Sequence, residues 1–394
     1  MSLANGRPYL AIPGPSVIPD RVLAAMHRPA PNIYRGPLTE MVPGIVDDLK
    51  RVARTSHNAA IYIANGHGVW EAALANVTAP GDRVLVLVTG HFGRNWGGMA
   101  EALGAEVEYM DFGTAAPIDP EAVLRRLEED KAGDIRAILA VQVDTSTSVR
   151  NDIETLGAAI AGFGHPAVFM VDCIACLGCD RFEMDDWHVD VMVAGCQKGL
   201  MTPPGMGFVF FNGKAAAARD RLDRVSQYWD WRPRVAPDLF YQYFNGTAPT
   251  HHLYGLREAL DMIFEEGLEA VWQRHASLAS ALWAAADAWA VEGPLRLNIT
   301  DPTFRSHAVT TLHLAEGQAE RLRHWCETEA GLTLGIGLGF NPIDDAFRVG
   351  HMGHVNAQMV LGVVGTIEAG LQALSIPHGA GAVEAAARVV AEAS

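Results

Sequence analysis

Seven short apolar runs punctuate the first 211 residues, and helix-patterned segments separate them. They are AAIYIA (59–64), DRVLVLV (82–88), EVEYMDF (106–112), IRAILAVQV (135–143), AVFMVD (167–172), VDVMVAG (189–195) and MGFVFF (206–211). A strand with one wet face alternates apolar and polar side chains, whereas these runs are apolar nearly throughout, as strands covered on both faces are. Segments such as WEAALANV and PEAVLRRLEED carry helical periodicity between them. The pattern predicts an α/β fold in which a mainly parallel, seven-stranded sheet lies between helices.

The pattern changes after Leu253, where the long amphipathic segment LYGLREALDMIFEEGLEAVWQRHASLASALWAAADAWA begins. A strand-like SHAVTTLHL (306–314), a helix-like EGQAERLRHWCETEA and a final strand pair ending in AFRVGHMG follow. At 394 residues, 49% hydrophobic and 19% charged, the chain has material for more than one core and far too little polar bias for disorder. The expected organisation is an N-terminal arm (1–20), a large domain (21–264) and a smaller C-terminal α+β domain (265–394).

In doubly wound sheets ligands sit beyond the carboxyl ends of the strands, so the residues there carry the functional argument. The run AAIYIA passes through Asn65-Gly66-His67-Gly68 straight into a helix; such a turn either cradles an anion on free N–H groups or merely connects. AVFMVD ends at Asp172, a carboxylate that needs a cation or donor as partner, or else caps the next helix. Lys198 ends the next run, in DVMVAGCQKGLMTPPG. A lysine withdrawn from water has a lowered pKa and an amine free to attack an aldehyde. Pyridoxal 5'-phosphate accounts for the three together, because it needs a lysine for its Schiff base, an acid against its ring nitrogen and an anion cradle.

A formal charge of −16 argues against nucleic acid, which is held by clustered Lys and Arg. No run approaches the roughly 20 apolar residues of a membrane helix. The N-terminal MSLANGRPYLAIPGPS has no basic region followed by an apolar core, so the expected location is the cytoplasm. Of five cysteines, Cys173, Cys176 and Cys179 are spaced as metal ligands can be, yet they follow a buried strand among small residues. Small buried thiols in a reducing compartment are the expectation, and no metal.

The motifs GHGVWEAALAN, VTGHFG, VDCIACLG, DVMVAGCQKGLMTPPG, YWDW, LYGLREALDM and FRVGHMG, in this order from about Ile12 to about His378, resemble the class V, fold-type I pyridoxal-phosphate aminotransferases. The likeness is to the serine–glyoxylate and alanine–glyoxylate group. It implies Lys198 as the Schiff-base lysine, Asp172 as the ring-nitrogen partner, and Gly66 and His67 as phosphate ligands beside Gln197. Phe92 then matches the aromatic stacked on the ring, Ile174 the side chain on its other face, and Thr145 a hydroxyl near its oxygen. Thr247 matches a residue that reaches the neighbouring subunit's phosphate, so the resemblance implies a homodimer with shared sites. Arg348 lies where the family binds the substrate α-carboxylate, the alternative being a structural pairing with Asp344 or Asp345, and Tyr34 lies near the substrate side chain.

Several positions depart from that group: Asn65 for a small hydroxyl residue, Ser148 for a glycine, cysteines for small residues around Asp172 and before Gln197, Phe244 for a tyrosine and Tyr34 for a histidine. The resulting expectation is transamination from a small amino acid such as serine or alanine to a 2-oxo acid such as glyoxylate. Another substrate pair, such as pyridoxamine and pyruvate or aspartate and glyoxylate, stands as the alternative, ahead of a sulfur-removing lyase or a non-catalytic subunit. A nucleotide-dependent dehydrogenase drops out, because NGHGVW lacks the third glycine and no acid ends the next strand.

Overall fold

The computed structural model describes residues 2–393. All seven apolar runs enter one sheet, as strands β2 (Asn58–Tyr62), β3 (Arg83–Val88), β4 (Glu106–Asp111), β5 (Ile135–Val141), β8 (Val168–Asp172), β9 (Val191–Gly195) and β10 (Gly207–Phe211). Their order across the sheet is β2-β10-β9-β8-β5-β3-β4. Every pairing is parallel except the two made by β10, which runs against both neighbours.

The continuous apolar character has a direct cause in packing. Along β3, Leu85 and Leu87 enter a core on one face, while Val84, Val86 and Val88 enter a second core on the other. Phe169 and Val171 of β8 likewise oppose Val168 and Met170. Neither face meets water, so neither tolerates polar alternation.

One run ends earlier than its apolar pattern suggests. IRAILAVQV leaves the sheet after Val141, and Val143–Asp144 (β6) pairs instead with Val149–Arg150 (β7) as a small hairpin. Gln142 makes the turn: its N–H donates to the Asp172 carbonyl at 2.9 Å and its side-chain amide to the Arg181 carbonyl at 2.9 Å.

The smaller sheet takes strands from both ends of the chain, in the order β1-β13-β14-β12-β11. These are β1 (Tyr9–Ala11), β11 (Arg296–Leu297), β12 (Val309–His313), β13 (Leu332–Ile336) and β14 (Ala346–Gly350). Helices Gln318–Ala330, Ala357–Ala373 and Ala382–Glu392 cover it. The long amphipathic segment is two helices, Thr250–Glu266 and Leu268–Ala290, divided at Gly267, whose φ of +91° suits only glycine. The second of them starts in the large core with Leu268 and Val271 and ends in the smaller one with Leu282 and Trp289, so it ties the two. Among the described residues no helix is long and apolar enough to cross a membrane.

Candidate active site

Adjacent parallel strands β8 and β9 bring Asp172 and Lys198 to one end of the sheet, where they open into a cleft of about 200 Å³. Asp172 is 4% exposed. Its Oδ1 accepts the Ile174 N–H at 2.6 Å and its Oδ2 the indole N–H of Trp70 at 2.9 Å. Burial pushes its carboxyl up to about 7, and the two donors pull against that rise.

Beyond β9 the chain turns tightly, with the Lys198 carbonyl accepting from the Met201 N–H at 3.1 Å and the Ser16 hydroxyl at 2.7 Å. The Lys198 amine donates to the Pro13 carbonyl. Burial and then the Arg348 charge bring its pKa down to about 8. Gly14, at φ +93°, sits against this side chain: a Cβ there would lie 2.6 Å from both Cε and Nζ. The segment that follows β1 thus lies directly over the lysine.

Helix Gly66–Val77 points its N-terminus into the cleft. The Asn65 side chain accepts from the Gly68 N–H at 3.1 Å, which is the capping task a small hydroxyl residue would do. Among the described residues the N–H groups of Gly66 and His67 have no acceptor, leaving two donors and the positive helix end for an anion. A Cβ on Gly66 would come within 2.7 Å of Ile174 Cδ1, so this close approach needs glycine. Gln197 also lines the cleft, and its Oε1 is buried without a hydrogen-bond partner.

Phe92 flanks the cleft from the start of helix His91–Ala102. Asp144, fully buried, holds that helix start by accepting from the N–H groups of Phe92 at 2.9 Å and Gly93 at 3.2 Å. Its other oxygen takes the Ser146 N–H at 3.0 Å and hydroxyl at 2.5 Å. Gly90 permits the approach, since a Cβ there would lie 2.5 Å from the Asp144 carboxyl carbon.

Thr145 lines the cleft next to Asp144, and its carbonyl accepts from Arg348 Nη1 at 2.9 Å. Arg348, on β14 and 7% exposed, gives its Nε–H to the Ile336 carbonyl at 2.7 Å. Among the described residues it makes no ion pair with Asp344 or Asp345; Asp345 instead accepts from the Gly317 N–H at 2.7 Å. Burial lowers its pKa to about 10.

Ser148, in place of a glycine, keeps a left-handed backbone at φ +61°. Its hydroxyl accepts the Thr311 N–H of β12 at 3.1 Å, a bond that glycine cannot make. Phe244 is buried against Phe240 at 5.7 Å between ring centroids. Thr247 and Tyr34 do not join the cleft; both are exposed, Tyr34 at 87%.

All five cysteines are free and buried, and burial pushes each thiol up. Cys173 and Cys176 donate to one acceptor, Gln142 Oε1, at 3.5 and 2.9 Å. Among the described residues no group of three or more His, Cys, Asp or Glu is placed to hold a metal ion.

Three contributors escape sequence reasoning: Trp70, Asp144 and the Pro13–Ser16 segment. The signal for Trp70 was a tryptophan four residues after Gly66, on a helix face that must meet the strand carrying Asp172. Asp144 and Pro13 gave none, since their partners lie 52 and 185 residues away.

The aminotransferase class-V family model matches residues 9–340. Serine–glyoxylate aminotransferase of Methylorubrum extorquens is 36% identical over 377 residues, covering 93% of this chain and 91% of that protein. L-aspartate–glyoxylate aminotransferase of Paracoccus denitrificans is 33% identical over 387 residues, covering 96% and 94%. Among solved structures, ureidoglycine–glyoxylate aminotransferase from Bacillus subtilis superposes with a TM-score of 0.88 at 28% identity, covering 99% of each chain. Pyridoxamine–pyruvate aminotransferase from Mesorhizobium loti gives 0.90 at 24% identity over 100% of each, a likeness of fold alone.

Proposed function

Because the chain is an aminotransferase of the class V family, we propose that it binds pyridoxal 5'-phosphate and transfers the amino group of serine or alanine to glyoxylate in two half-reactions. The observation that carries this reading is the convergence of Lys198 and Asp172, from adjacent strand ends, on one cleft at a helix N-terminus. The fit to the cofactor and substrate rests on donors left over among the described residues: the Gly66 and His67 N–H groups, and the Arg348 N–H groups not taken by the Ile336 and Thr145 carbonyls.

In this reading Gly66 and His67 bind the phosphate through their main-chain N–H groups, with Gln197 beside them. Phe92 and Ile174 cover opposite faces of the ring, and the Thr145 hydroxyl reaches its oxygen. Asp172 accepts the N–H of the ring nitrogen and keeps that proton in place. Bound here, pyridoxal phosphate would supply an electron sink for the pair left when the substrate's α-proton departs, with Lys198 the amine that would hold it. The free Lys198 amine would carry that proton, for which a pKa brought down to about 8 suits it. Arg348 takes the substrate carboxylate with its planar fork, which serves amino acid and oxo acid alike.

The same reading includes a homodimer. Thr247, exposed in the single chain, then reaches the neighbouring subunit's phosphate, and Tyr34, also exposed, lies near the substrate side chain. Five free thiols fit a reducing cytoplasm. Sulfur removal requires an accessible thiolate, and the burial of every cysteine speaks against it.

A half-reaction screen tests the proposal. Cofactor-loaded protein is mixed with single amino acids while its visible absorbance is followed. Serine or alanine bleaches the band and glyoxylate restores it. A band that neither an amino acid nor pyridoxamine changes overturns the transaminase reading, and one that answers only to aspartate or pyridoxamine overturns the substrate pair.

A further inference from the structure

Trp70 is 1% exposed, and one rigid indole meets three different walls of the cleft. Its N–H donates to Asp172 Oδ2 at 2.9 Å. Its ring meets His67 edge-on at 4.7 Å and Phe92 at 6.3 Å, and it is stacked on Trp96 at 5.9 Å with planes 16° apart. Phe92 and Trp96 lie one turn apart on helix His91–Ala102, so the indole is held by a second helix and has no freedom to turn away.

Asp172 carries a donor on each oxygen, Ile174 N–H on Oδ1 and Trp70 on Oδ2. Two donors on opposite oxygens fix the plane of a carboxylate, while each oxygen keeps a further lone pair. The two bonds act unequally under perturbation: the Ile174 N–H is main chain and local, whereas the indole reaches across 102 residues. We propose that Trp70 is a positioning residue for the cofactor, orienting Asp172 and holding it as a carboxylate toward the ring nitrogen. The inference rests on the reading of this cleft as a pyridoxal phosphate site.

The physical reason is the opposition already present at Asp172. Burial favours the uncharged acid, and the indole N–H is one of the two hydrogen bonds that favour the charged form. A protonated Asp172 donates instead of accepting, so it no longer retains a proton on the ring nitrogen. A merely space-filling role for Trp70 would leave that balance untouched when another large aromatic replaces it.

The test is a titration of cofactor-stripped protein with pyridoxal phosphate from pH 6 to 9, for the native chain, Trp70→Phe, Asp172→Asn and the double variant. Trp70→Phe should weaken binding about tenfold, as loss of a hydrogen bond to a charged group does, and move the midpoint of affinity against pH upward by about one unit. Combined with Asp172→Asn it should add less than about twofold, because the two act as one unit. Unchanged affinity and midpoint with only a lowered melting temperature, or additive losses in the double variant, overturns the proposal. Should Trp70→Phe not fold, the Trp70 indole ¹H–¹⁵N resonance of the native stripped chain decides: it should titrate near pH 7 and stop doing so in Asp172→Asn. A flat resonance overturns the proposal. Failure of the native chain to bind pyridoxal phosphate refutes the proposed function and this proposal with it, whereas native binding together with a flat resonance or additive losses refutes this proposal alone.

Discussion

Arg348 donates to the main-chain carbonyl of Thr145 at 2.9 Å, and no carboxylate forms an ion pair with it among the described residues. A strand of the smaller sheet is thereby locked to the hairpin that lines the cleft, and in the proposed function the remaining guanidinium N–H groups take the substrate carboxylate. Arg348→Ala should raise the apparent KM for amino donor and oxo acid together, by about 30- to 1,000-fold, with little loss in kcat. Steady-state kinetics on both substrates checks this, and an effect on one substrate alone would detach Arg348 from a shared carboxylate position.

Lys198→Ala should abolish transamination and the visible band of the bound cofactor while circular dichroism stays native. Among the described residues the side chain hydrogen-bonds only the Pro13 carbonyl, so its removal leaves one main-chain acceptor facing the cleft. Retained turnover would refute the assignment of Lys198.

The lowered pKa of Lys198 has a pH signature in the cofactor-free chain. Folded, the amine titrates near 8, and unfolded near its ordinary 10.5, so the unfolded chain binds more protons between those values. Stability from this group therefore rises as pH increases from about 8 to 10.5. Denaturant unfolding of the native chain and Lys198→Met should differ in slope only within that window, the native chain gaining stability relative to the variant as pH rises. Parallel curves would mean the amine is not withdrawn from water.

Ser148 offers a contrast between strain and bonding. Ser148→Ala keeps the unfavourable φ of +61° and loses the acceptor for the Thr311 N–H, which should cost about 1–2 kcal/mol. Ser148→Gly loses the same bond but relieves the strain, so it should fall within about 1 kcal/mol of the native chain. Thermal unfolding would rank them, and an alanine variant as stable as the glycine variant would refute the role of the left-handed backbone.

Gly14→Ala places a methyl group where the Lys198 side chain lies and does so at φ +93°. It should weaken pyridoxal phosphate binding about 5- to 150-fold, since either the arm or the lysine must move, at a cost of about 1–3 kcal/mol. Equilibrium titration with the cofactor measures it. Native affinity would mean that the arm yields freely.

The inner strands of the large sheet were legible because each must be apolar on both faces, and that requirement is written residue by residue along the chain; β4, at the sheet edge, keeps Glu106 and Asp111 exposed. Asp172 and Lys198 were legible for a related reason, as charged residues at the ends of runs that admit no charge. The early end of β5 was not: its apolar pattern continues through Val143, and only the bonds of Gln142 to Asp172 and Arg181 take those residues out of the sheet.

Local pattern thus determined the α/β architecture, the order of strands and helices, and the candidate lysine and acid. Tertiary structure alone decided that Trp70 holds Asp172, that Asp144 anchors Phe92 beside Thr145, that Pro13 and Gly14 cover Lys198 and that Arg348 bonds the Thr145 and Ile336 carbonyls. Hydrophobic periodicity records only whether a side chain faces a core. The partner of a buried polar group is set by which distant segments the packed sheet brings within about 3 Å, and no local pattern specifies that.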